Sequence, residues 1–175
     1  MKKPNIKILK LIIITIILSI LSKMYIFSRS HVSGSSMTPT LNNNDSTLVE
    51  KISLLTKNSK RGQIIIFDSR NTNHDIYIKR IIGVEGDEIQ LKKGTIYLNG
   101  KKLKEPYIKK DIYTNGGTFL NENQRIKIKK NFVFVLGDNR RESIDSRWLG
   151  QININSIKGH VIFKIFPLNK VKKYY

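Results

Sequence analysis

Short runs of β-forming residues, each bounded by glycine, asparagine or other turn residues, make up most of the chain after its N-terminal segment. Ile, Val, Phe and Tyr are frequent in them, and several alternate apolar with polar residues, the period of a strand with one buried face. The runs are residues 47–50, 63–67, 76–84, 95–98, 125–128, 132–136 and 157–166. No long amphipathic helical pattern competes with them. The sequence therefore predicts an all-β fold with mostly antiparallel strands.

A smaller β unit is expected within this domain. The dipeptide Asn99-Gly100 follows one short β run and precedes another, which is the signal of a two-residue hairpin turn. It lies in a more polar, lysine-rich stretch that also contains Gly116-Gly117. We therefore predict an inserted β subdomain at about residues 88–130, and 175 residues suffice for one domain with such an insertion.

The N-terminus begins with a basic and then apolar segment of the kind that enters membranes. Residues 11–22 are uncharged and follow several lysines, and as a helix they would span about 18 Å of a hydrocarbon core of roughly 30 Å. Flanking apolar residues extend this span, so the prediction is one transmembrane helix at residues 8–27. The excess of lysines before it places residues 1–7 in the cytoplasm and residues 30–175 outside the membrane.

A cleaved signal peptide is the alternative interpretation of the same segment. A basic start followed by a short apolar region fits such a peptide, and Ser28 and Ser30 supply small residues two positions apart. Under this alternative the mature protein would begin near Ser30 and carry no anchor.

The net charge of +19 is the other unusual property of the chain. A charge of this size suggests a nucleic acid, an anionic membrane surface or an acidic partner, without choosing among them. The basic residues are spread along the whole sequence, so a general compositional bias explains them as well as a dedicated patch does. The absence of cysteine excludes disulfides and thiol catalysis.

The stretch SGSSMTPTL, residues 33–41, is either a flexible polar linker or the site of a nucleophilic serine. A serine nucleophile needs a base. His31, His74 and His160 show none of the spacings of a metal site, and the stretch does not match the G-x-S-x-G motif of a Ser-His-Asp enzyme. A lysine serves as base where burial among apolar groups keeps its amine neutral.

Two lysines interrupt apolar strands and are candidates for this role. Lys79 shares a strand face with Tyr77 and Ile81, whereas Arg80 points to the opposite face. Lys164 has a similar apolar setting. A purely structural interpretation, in which the lysine protects the edge of a sheet, fits both positions.

A dense polar loop, residues 136–147, follows the run 132–136. It lacks the glycine and the terminal glutamate of a calcium-binding loop. Taken alone it is typical of a hydrogen-bonded turn in which Asp138 and Asn139 cap the backbone.

In combination, three stretches resemble the bacterial type I signal peptidases. They are SMTPTL at residues 36–41, YIKRIIGVEGD at residues 77–87, and GDNR at residues 137–140 with Ser143, Asp145, Ser146 and Arg147. Their order and the apolar N-terminus match the family, and the likeness extends to about residue 167. It implies a membrane-bound serine endopeptidase with an antiparallel β catalytic domain and a small β insertion.

The resemblance also implies the chemistry. Ser36 corresponds to the nucleophile and Lys79, rather than Lys164, to the general base that later protonates the leaving amine. The substrates would be secreted preproteins, cleaved after a small-x-small motif. Ser33 and Ser35 are then bystanders.

Supporting roles follow from the resemblance in the same way. Ser143 matches the hydroxyl that orients the lysine, and Asp145 would hold its loop through an ion pair with Arg80 or Arg147. Asp138 is expected to have a similar supporting role.

The Ser36 backbone N–H is expected to bind the oxyanion, with Gly34 nearby, where some family members carry a serine whose hydroxyl helps. Met37 and Pro39 are expected to contact the substrate. The expected partners are preprotein signal peptides and membrane phospholipid, with no cofactor and no metal, and the protein is expected to be a monomer.

Three further interpretations remain open. A self-cleaving Ser-Lys peptidase of the repressor type shares the two residues, but residues 1–30 do not form a DNA-binding domain. A basic nucleic-acid-binding protein would fit the charge, although interleaved aromatic and basic residues are missing. A non-catalytic membrane scaffold related to the peptidases would be expected to lack Ser36 or Lys79.

Overall fold

The computed structural model describes residues 6–69, 73–108, 112–167 and 171–174, with the side chains of residues 21–25 excepted. The strands are β1 (Phe27–His31), β2 (Ser46–Glu50), β3 (Ile64–Asp68), β4 (Ile76–Gly83), β5 (Glu88–Lys92), β6 (Thr95–Leu98), β7 (Lys101–Lys102), β8 (Arg125–Lys127), β9 (Phe132–Leu136), β10 (Ile152–Asn153), β11 (Ile157–Phe166) and β12 (Lys172–Lys173). The helices are α1 (Ile6–Ile26), α2 (Ile52–Thr56) and α3 (Ser146–Leu149).

Two antiparallel sheets make up the fold. The larger has the strand order β1-β2-β11-β3-β4-β9-β10, with β12 beside β11, and the smaller has the order β7-β6-β5-β8. Every strand pair in both sheets is antiparallel. This confirms the prediction of a mostly antiparallel β fold. The smaller sheet lies within the stretch where the inserted subdomain, residues 88–130, is expected.

Helix α1 covers most of the segment for which a transmembrane anchor is expected. Its described isoleucine and leucine side chains are exposed, for example Leu11 at 66% and Ile13 at 48%. Within the described part of the chain, no helix has the length and apolar character needed to span a membrane. The side chains of residues 21–25, and residues 1–5 of the expected cytoplasmic segment, lie outside the described residues.

The larger sheet begins earlier than the expected domain boundary at residue 30. Strand β1 pairs with β2 from Phe27 to His31, directly after α1. Ser28 and Ser30, the small residues of the alternative signal-peptide cleavage site, are therefore backbone-paired residues of the sheet.

Strands β4 and β9 determine the geometry around Lys79. Along its whole length up to Arg80, β4 pairs with β3, whereas its pairing with β9 begins only at Arg80, opposite Leu136. No strand in the described ranges pairs with residues 76–79 on the side towards β9. The strand segment carrying Lys79 therefore has one open backbone edge.

One of the hydrophobic clusters joins the two sheets. It combines Ile82, Phe134 and Leu136 of the larger sheet with apolar residues of the smaller sheet and its loops, namely Ile89, Leu91, Ile96, Leu120 and Ile128. The two sheets consequently share a core. A second cluster packs Met37 and Leu41, from the turn that carries Ser36, against β2, β3 and β11.

Candidate active site

The structure brings Ser36 and Lys79 together although 43 positions separate them in sequence. Lys79 Nζ lies 2.8 Å from Ser36 Oγ, which is hydrogen-bonding distance. Ser36 is half-buried at the surface of a turn, and Lys79 is 3% exposed. Lys164, the other candidate lysine, forms a buried ion pair with Asp45 instead.

The surroundings of Lys79 favour its neutral form. Burial lowers the pKa of the Lys79 amine from 10.5 to about 8, and the negative charge of Asp145 opposes this shift only in part. Nζ also donates to the Ile78 carbonyl at 3.1 Å and lies 5.1 Å from the centre of the Tyr77 ring. A large fraction of this amine is thus neutral and able to accept a proton near pH 8.

The turn that carries Ser36 is fixed from both sides. Backbone hydrogen bonds run from Thr38 N to Ser35 O and from Leu41 N to Met37 O, at 3.0 and 2.9 Å. Met37 and Leu41 are 1% and 0% exposed, so their side chains anchor the turn in the core. The segment is therefore an ordered turn rather than a flexible linker.

The two residues expected to contact substrate are placed differently from each other. Met37 is mostly a core residue but contributes to the cleft beside Ser36. Pro39 lines a separate hollow with Arg61 and Tyr107, away from the residues that line the cleft.

The loop after β9 packs directly against the turn. Asn139 N donates to the Ser36 carbonyl at 3.0 Å, and Asn139 Nδ2 donates to the Ser35 carbonyl at 3.2 Å. A side chain at Gly137 would collide with Ser143 and with the Ser36 carbonyl. Glycine at position 137 thus allows the loop to approach the turn closely.

Ser143 lies in this contact but does not make the hydrogen bond expected of it. Its side chain packs against Gly137, and its buried Oγ has no hydrogen-bond partner among the described residues. The polar contacts of Lys79 Nζ are to Ser36 and Ile78. A direct hydrogen bond from Ser143 to the lysine, as the resemblance implies, is therefore not present in this structure.

Asp145 pairs with Arg147, one of the two partners left open by the sequence. Both carboxylate oxygens of Asp145 accept from the Arg147 guanidinium at 2.8 Å, and both side chains are buried. Asp145 Oδ2 also accepts from Gly137 N at 3.0 Å. This carboxylate therefore fixes the start of the loop while its charge acts on Lys79.

Arg80 pairs with Asp138 and not with Asp145. Its Nε and Nη2 donate to the Asp138 carboxylate at 2.8 and 2.6 Å, and its Nη1 donates to the Gly62 carbonyl at 2.7 Å. Thr40 donates to the same carboxylate. The pair thus joins β4, the loop after β9 and the turn that carries Ser36.

Two further residues of the loop have contacts that the sequence does not predict. Arg140, 2% exposed, donates to the Gly137 carbonyl and forms an ion pair with Glu105 near the smaller sheet. Glu142 accepts from Ser35 Oγ at 2.7 Å. For Arg140 the GDNR motif is a signal of importance, whereas nothing in the local pattern around Glu142 indicates its partner.

A cleft of about 510 Å³ opens beside Ser36 and Lys79. Segment 30–37 forms one wall, residues 76–79 form the other, and Glu142 and Ile144 close one side. The open backbone edge of β4 lies along this cleft. An extended peptide could pair with that edge and present a carbonyl to Ser36.

The Ser36 backbone N–H belongs to a residue that lines this cleft. The described chain offers no acceptor to it, whereas the neighbouring Gly34 N donates to Asn43 Oδ1 at 3.0 Å. Gly34 has a φ of +91° and no atom within 4 Å of where a Cβ would lie, so the position is open. Among the side chains whose placement is described, no group of three or more His, Cys, Asp or Glu is arranged to hold a metal ion.

Comparisons of this chain with known proteins agree on one family. The model of the family described as "Signal peptidase, peptidase S26" matches residues 5–166. Signal peptidase I of Bacillus amyloliquefaciens is 38% identical over 94% of this chain and 89% of its own length. Signal peptidase I T of Bacillus subtilis (strain 168) is also 38% identical, over 94% of this chain and 86% of its own.

More distant relatives carry similar names. A probable signal peptidase I-2 of Synechocystis is 33% identical over 93% of this chain and 73% of its own. The solved structure of a signal peptidase I from Enterococcus faecalis V583 matches with a TM-score of 0.48 and 28% identity, over 59% of this chain and 96% of the other.

Proposed function

The chain belongs to the signal peptidase family, peptidase S26, and is a serine peptidase, and on that premise we propose that it removes N-terminal signal peptides from secreted preproteins. The match over most of the chain bears out the resemblance to type I signal peptidases. The observation that carries the proposal at the level of residues is the 2.8 Å contact between Ser36 Oγ and Lys79 Nζ.

In the proposed reaction Ser36 is the nucleophile and Lys79 the general base. The neutral Lys79 amine takes the Ser36 proton as Oγ attacks the scissile carbonyl, and the resulting ammonium then protonates the leaving amine of the mature protein. An acyl ester on Ser36 remains, which carries the signal peptide. Water, deprotonated by the same amine, hydrolyses this ester and restores the free serine.

The oxyanion of the tetrahedral intermediate would be bound by the Ser36 backbone N–H. Its lack of an acceptor within the described chain supports this role, as does the open space at Gly34. The Asp145–Arg147 and Arg80–Asp138 pairs would keep the loop, the turn and β4 in register during the reaction.

Cleavage after a small-x-small motif is part of the proposal. The wall of the cleft includes Val32, Met37, Ile78 and Ile144, which are apolar and mostly branched. Such an apolar wall favours apolar side chains at the substrate positions that face it. An extended signal peptide along β4 would place alternate side chains against this wall.

The proposal is tested by cleavage of a purified preprotein in detergent. Ser36→Ala should lose essentially all activity and Lys79→Ala at least about a hundredfold, since general base catalysis contributes this much. Ser33→Ala, the same change at another serine of the cleft, should keep activity within about fivefold because the described contacts of Lys79 Nζ are to Ser36 and Ile78 and not to Ser33. Full activity in either Ser36→Ala or Lys79→Ala would overturn the residue assignment.

We further propose that residues 8–27, most of which lie in α1, form a single-pass anchor, with residues 1–7 cytoplasmic and the catalytic domain outside the membrane. The exposed isoleucine and leucine side chains of α1 support this, because water is a poor solvent for so large an apolar surface. The charge of +19 adds attraction to anionic lipids, at about 1 kcal/mol for each basic residue near the surface.

Vesicle flotation tests this second part of the proposal. The full-length protein should float with phosphatidylglycerol vesicles, and Ile13→Asp with Ile17→Asp should reduce the floated fraction severalfold. Ile52→Asp, a change at an equally exposed isoleucine of α2, should float like the unmodified protein. Protease added outside intact protoplasts should digest the catalytic domain, and protection of that domain would contradict the orientation.

A further inference from the structure

Glu142 brings an exposed carboxylate to the cleft beside the candidate nucleophile. It lines the same cleft as Ser36 and Lys79, on the side closed by the loop after β9. Its Oε2 accepts from Ser35 Oγ at 2.7 Å and from Asn139 Nδ2 at 3.2 Å. These two neutral donors fix the position of the carboxylate one residue from Ser36 without neutralising its charge.

The charge of Glu142 stands out against the rest of the cleft. Of the described side chains that line the cleft, Glu142 alone carries a carboxylate, and the other ionisable groups there are His31, Tyr77 and Lys79. No described residue forms an ion pair with Glu142, and Arg141 is not part of the cleft lining. Glu142 therefore places a carboxylate without an ion-pair partner among the described residues on one side of this cleft, in a chain whose net charge is +19.

We propose that Glu142 forms an anionic subsite that favours Lys or Arg, and disfavours Asp or Glu, at the substrate residue that passes Ser35 next to the scissile bond. The inference rests on the proposed function, since it concerns the substrates of that same cleft. A bound peptide places side chains within a few ångströms of the cleft walls, and its charge then interacts directly with the fixed carboxylate. The subsite selects among preproteins by the charge beside their cleavage site.

The size of the expected substrate preference follows from the exposure of the Glu142 carboxylate. Pairs of exposed charges change binding by about 1.5- to fivefold, so replacing a favoured Lys by a disfavoured Glu should change kcat/KM by up to about tenfold. Salt screens such an interaction. A preference that arises from Glu142 should therefore shrink between about 50 mM and about 1 M NaCl.

A purely structural role for Glu142 leads to a different expectation. If the carboxylate only fixes Ser35 and Asn139, its removal would lower kcat/KM for every substrate by the same factor. Glu142→Gln separates the two roles, because glutamine keeps an acceptor oxygen for the Ser35 hydroxyl and removes the charge. Glu142→Lys reverses the charge.

The experiment measures kcat/KM for a matched set of preprotein-derived peptides with the full-length protein in detergent. Each peptide carries Lys, Gln or Glu at one of the three positions on either side of the cleavage site. In the unmodified protein, one or two adjacent positions should favour Lys over Glu. At these positions, the ratio of kcat/KM for the Lys peptide to kcat/KM for the Glu peptide should approach one in Glu142→Gln and fall below one in Glu142→Lys.

Glu85→Gln is the matched control. Glu85 is also exposed and its carboxylate accepts a hydrogen bond from Asn131 N at 3.0 Å, but it lies outside the cleft lining. Its variant should keep the Lys-to-Glu ratio of the unmodified protein.

Each outcome decides the inference. Ratios that stay the same in Glu142→Gln, or that are close to one at every position in the unmodified protein, overturn the anionic subsite and leave the proposed function intact. Failure of the unmodified protein to cleave any peptide overturns the proposed function and the subsite with it. If Glu142→Lys does not fold, the ratios of the isosteric Glu142→Gln variant alone decide between the two roles.

Discussion

Burial of one amine sets the pH range in which the proposed reaction can run. Lys79 must be neutral to accept the Ser36 proton, and its pKa is about 8 instead of 10.5. Below pH 8 the amine is increasingly protonated, so kcat/KM should fall about tenfold per pH unit and be roughly a hundredfold lower at pH 6 than on the alkaline plateau. Rates measured from pH 6 to pH 9.5 on one peptide check this expectation.

Binding of an uncleaved substrate analogue provides the control for this pH profile. Ser36 itself does not titrate in this range, so the fall in rate at low pH reports the protonation of the lysine. The affinity for the uncleaved substrate analogue should show no such fall. A rate that is flat from pH 6 to pH 9 would show that no group with a pKa near 8 acts as base.

At the scale of single residues, sequence reasoning brings out the proposed reacting pair, which the structure places in contact, but not its full surroundings. Ser36 and Lys79 are identifiable because the motif resemblance and the apolar neighbours of Lys79 agree. The hydrogen bond from Ser35 to Glu142 spans 107 positions, and no local pattern predicts a contact at that range. For Ser143 the resemblance implies a hydrogen bond to the lysine that is absent from the described contacts.

At the scale of elements, the predicted strands are those whose apolar residues are continuous or strongly alternating. Strand β5 (EIQLK) is not among them, although Ile89 and Leu91 alternate with polar residues and are fully buried. This period-two signal is present in the sequence but is outweighed by the polar composition around it. Strand β1 (FSRSH) has little apolar content and forms through backbone pairing with β2, so its sequence carries almost no signal.

The connection from β9 to α3 depends on one buried ion pair. Asp145 and Arg147 are 0% and 2% exposed, so Asp145→Asn leaves a buried guanidinium without its carboxylate. The free energy of unfolding should fall by about 3–5 kcal/mol in urea unfolding. Because the Asp145 charge raises the pKa of Lys79, its removal should also move the acid limb of the activity profile to lower pH.

An exposed ion pair provides the comparison for the buried Asp145–Arg147 pair. Glu88 and Arg125 lie 3.5 Å apart with side chains 43% and 61% exposed, and Glu88→Gln should cost less than about 1 kcal/mol. Equal losses in the Asp145 and Glu88 variants would mean that burial does not determine the contribution of these pairs.

At the scale of the whole molecule, the smaller sheet packs into a core that it shares with the larger sheet. The polar composition of residues 88–130 suggests a separate excursion, but Ile82 and Phe134 of the larger sheet pack against Ile89 and Leu91 of the smaller one. Arg140 adds a buried ion pair between the loop beside Ser36 and Glu105. Because the buried apolar residues of the smaller sheet belong to the cluster that it shares with the larger sheet, the smaller sheet has no separate core among the described residues.

A shared core predicts that the two sheets unfold together. In urea, the fluorescence of Trp148, the single tryptophan, and far-ultraviolet circular dichroism should report one coincident transition. Phe134→Ala, at a fully buried position between the sheets, should lower the free energy of unfolding by about 3–5 kcal/mol and keep the two probes coincident. Phe166→Ala, where the ring is 56% exposed, should change it by less than about 1 kcal/mol. Separate midpoints for the two probes in the unmodified protein would show instead that one part of the fold unfolds independently of the rest, which contradicts a shared core.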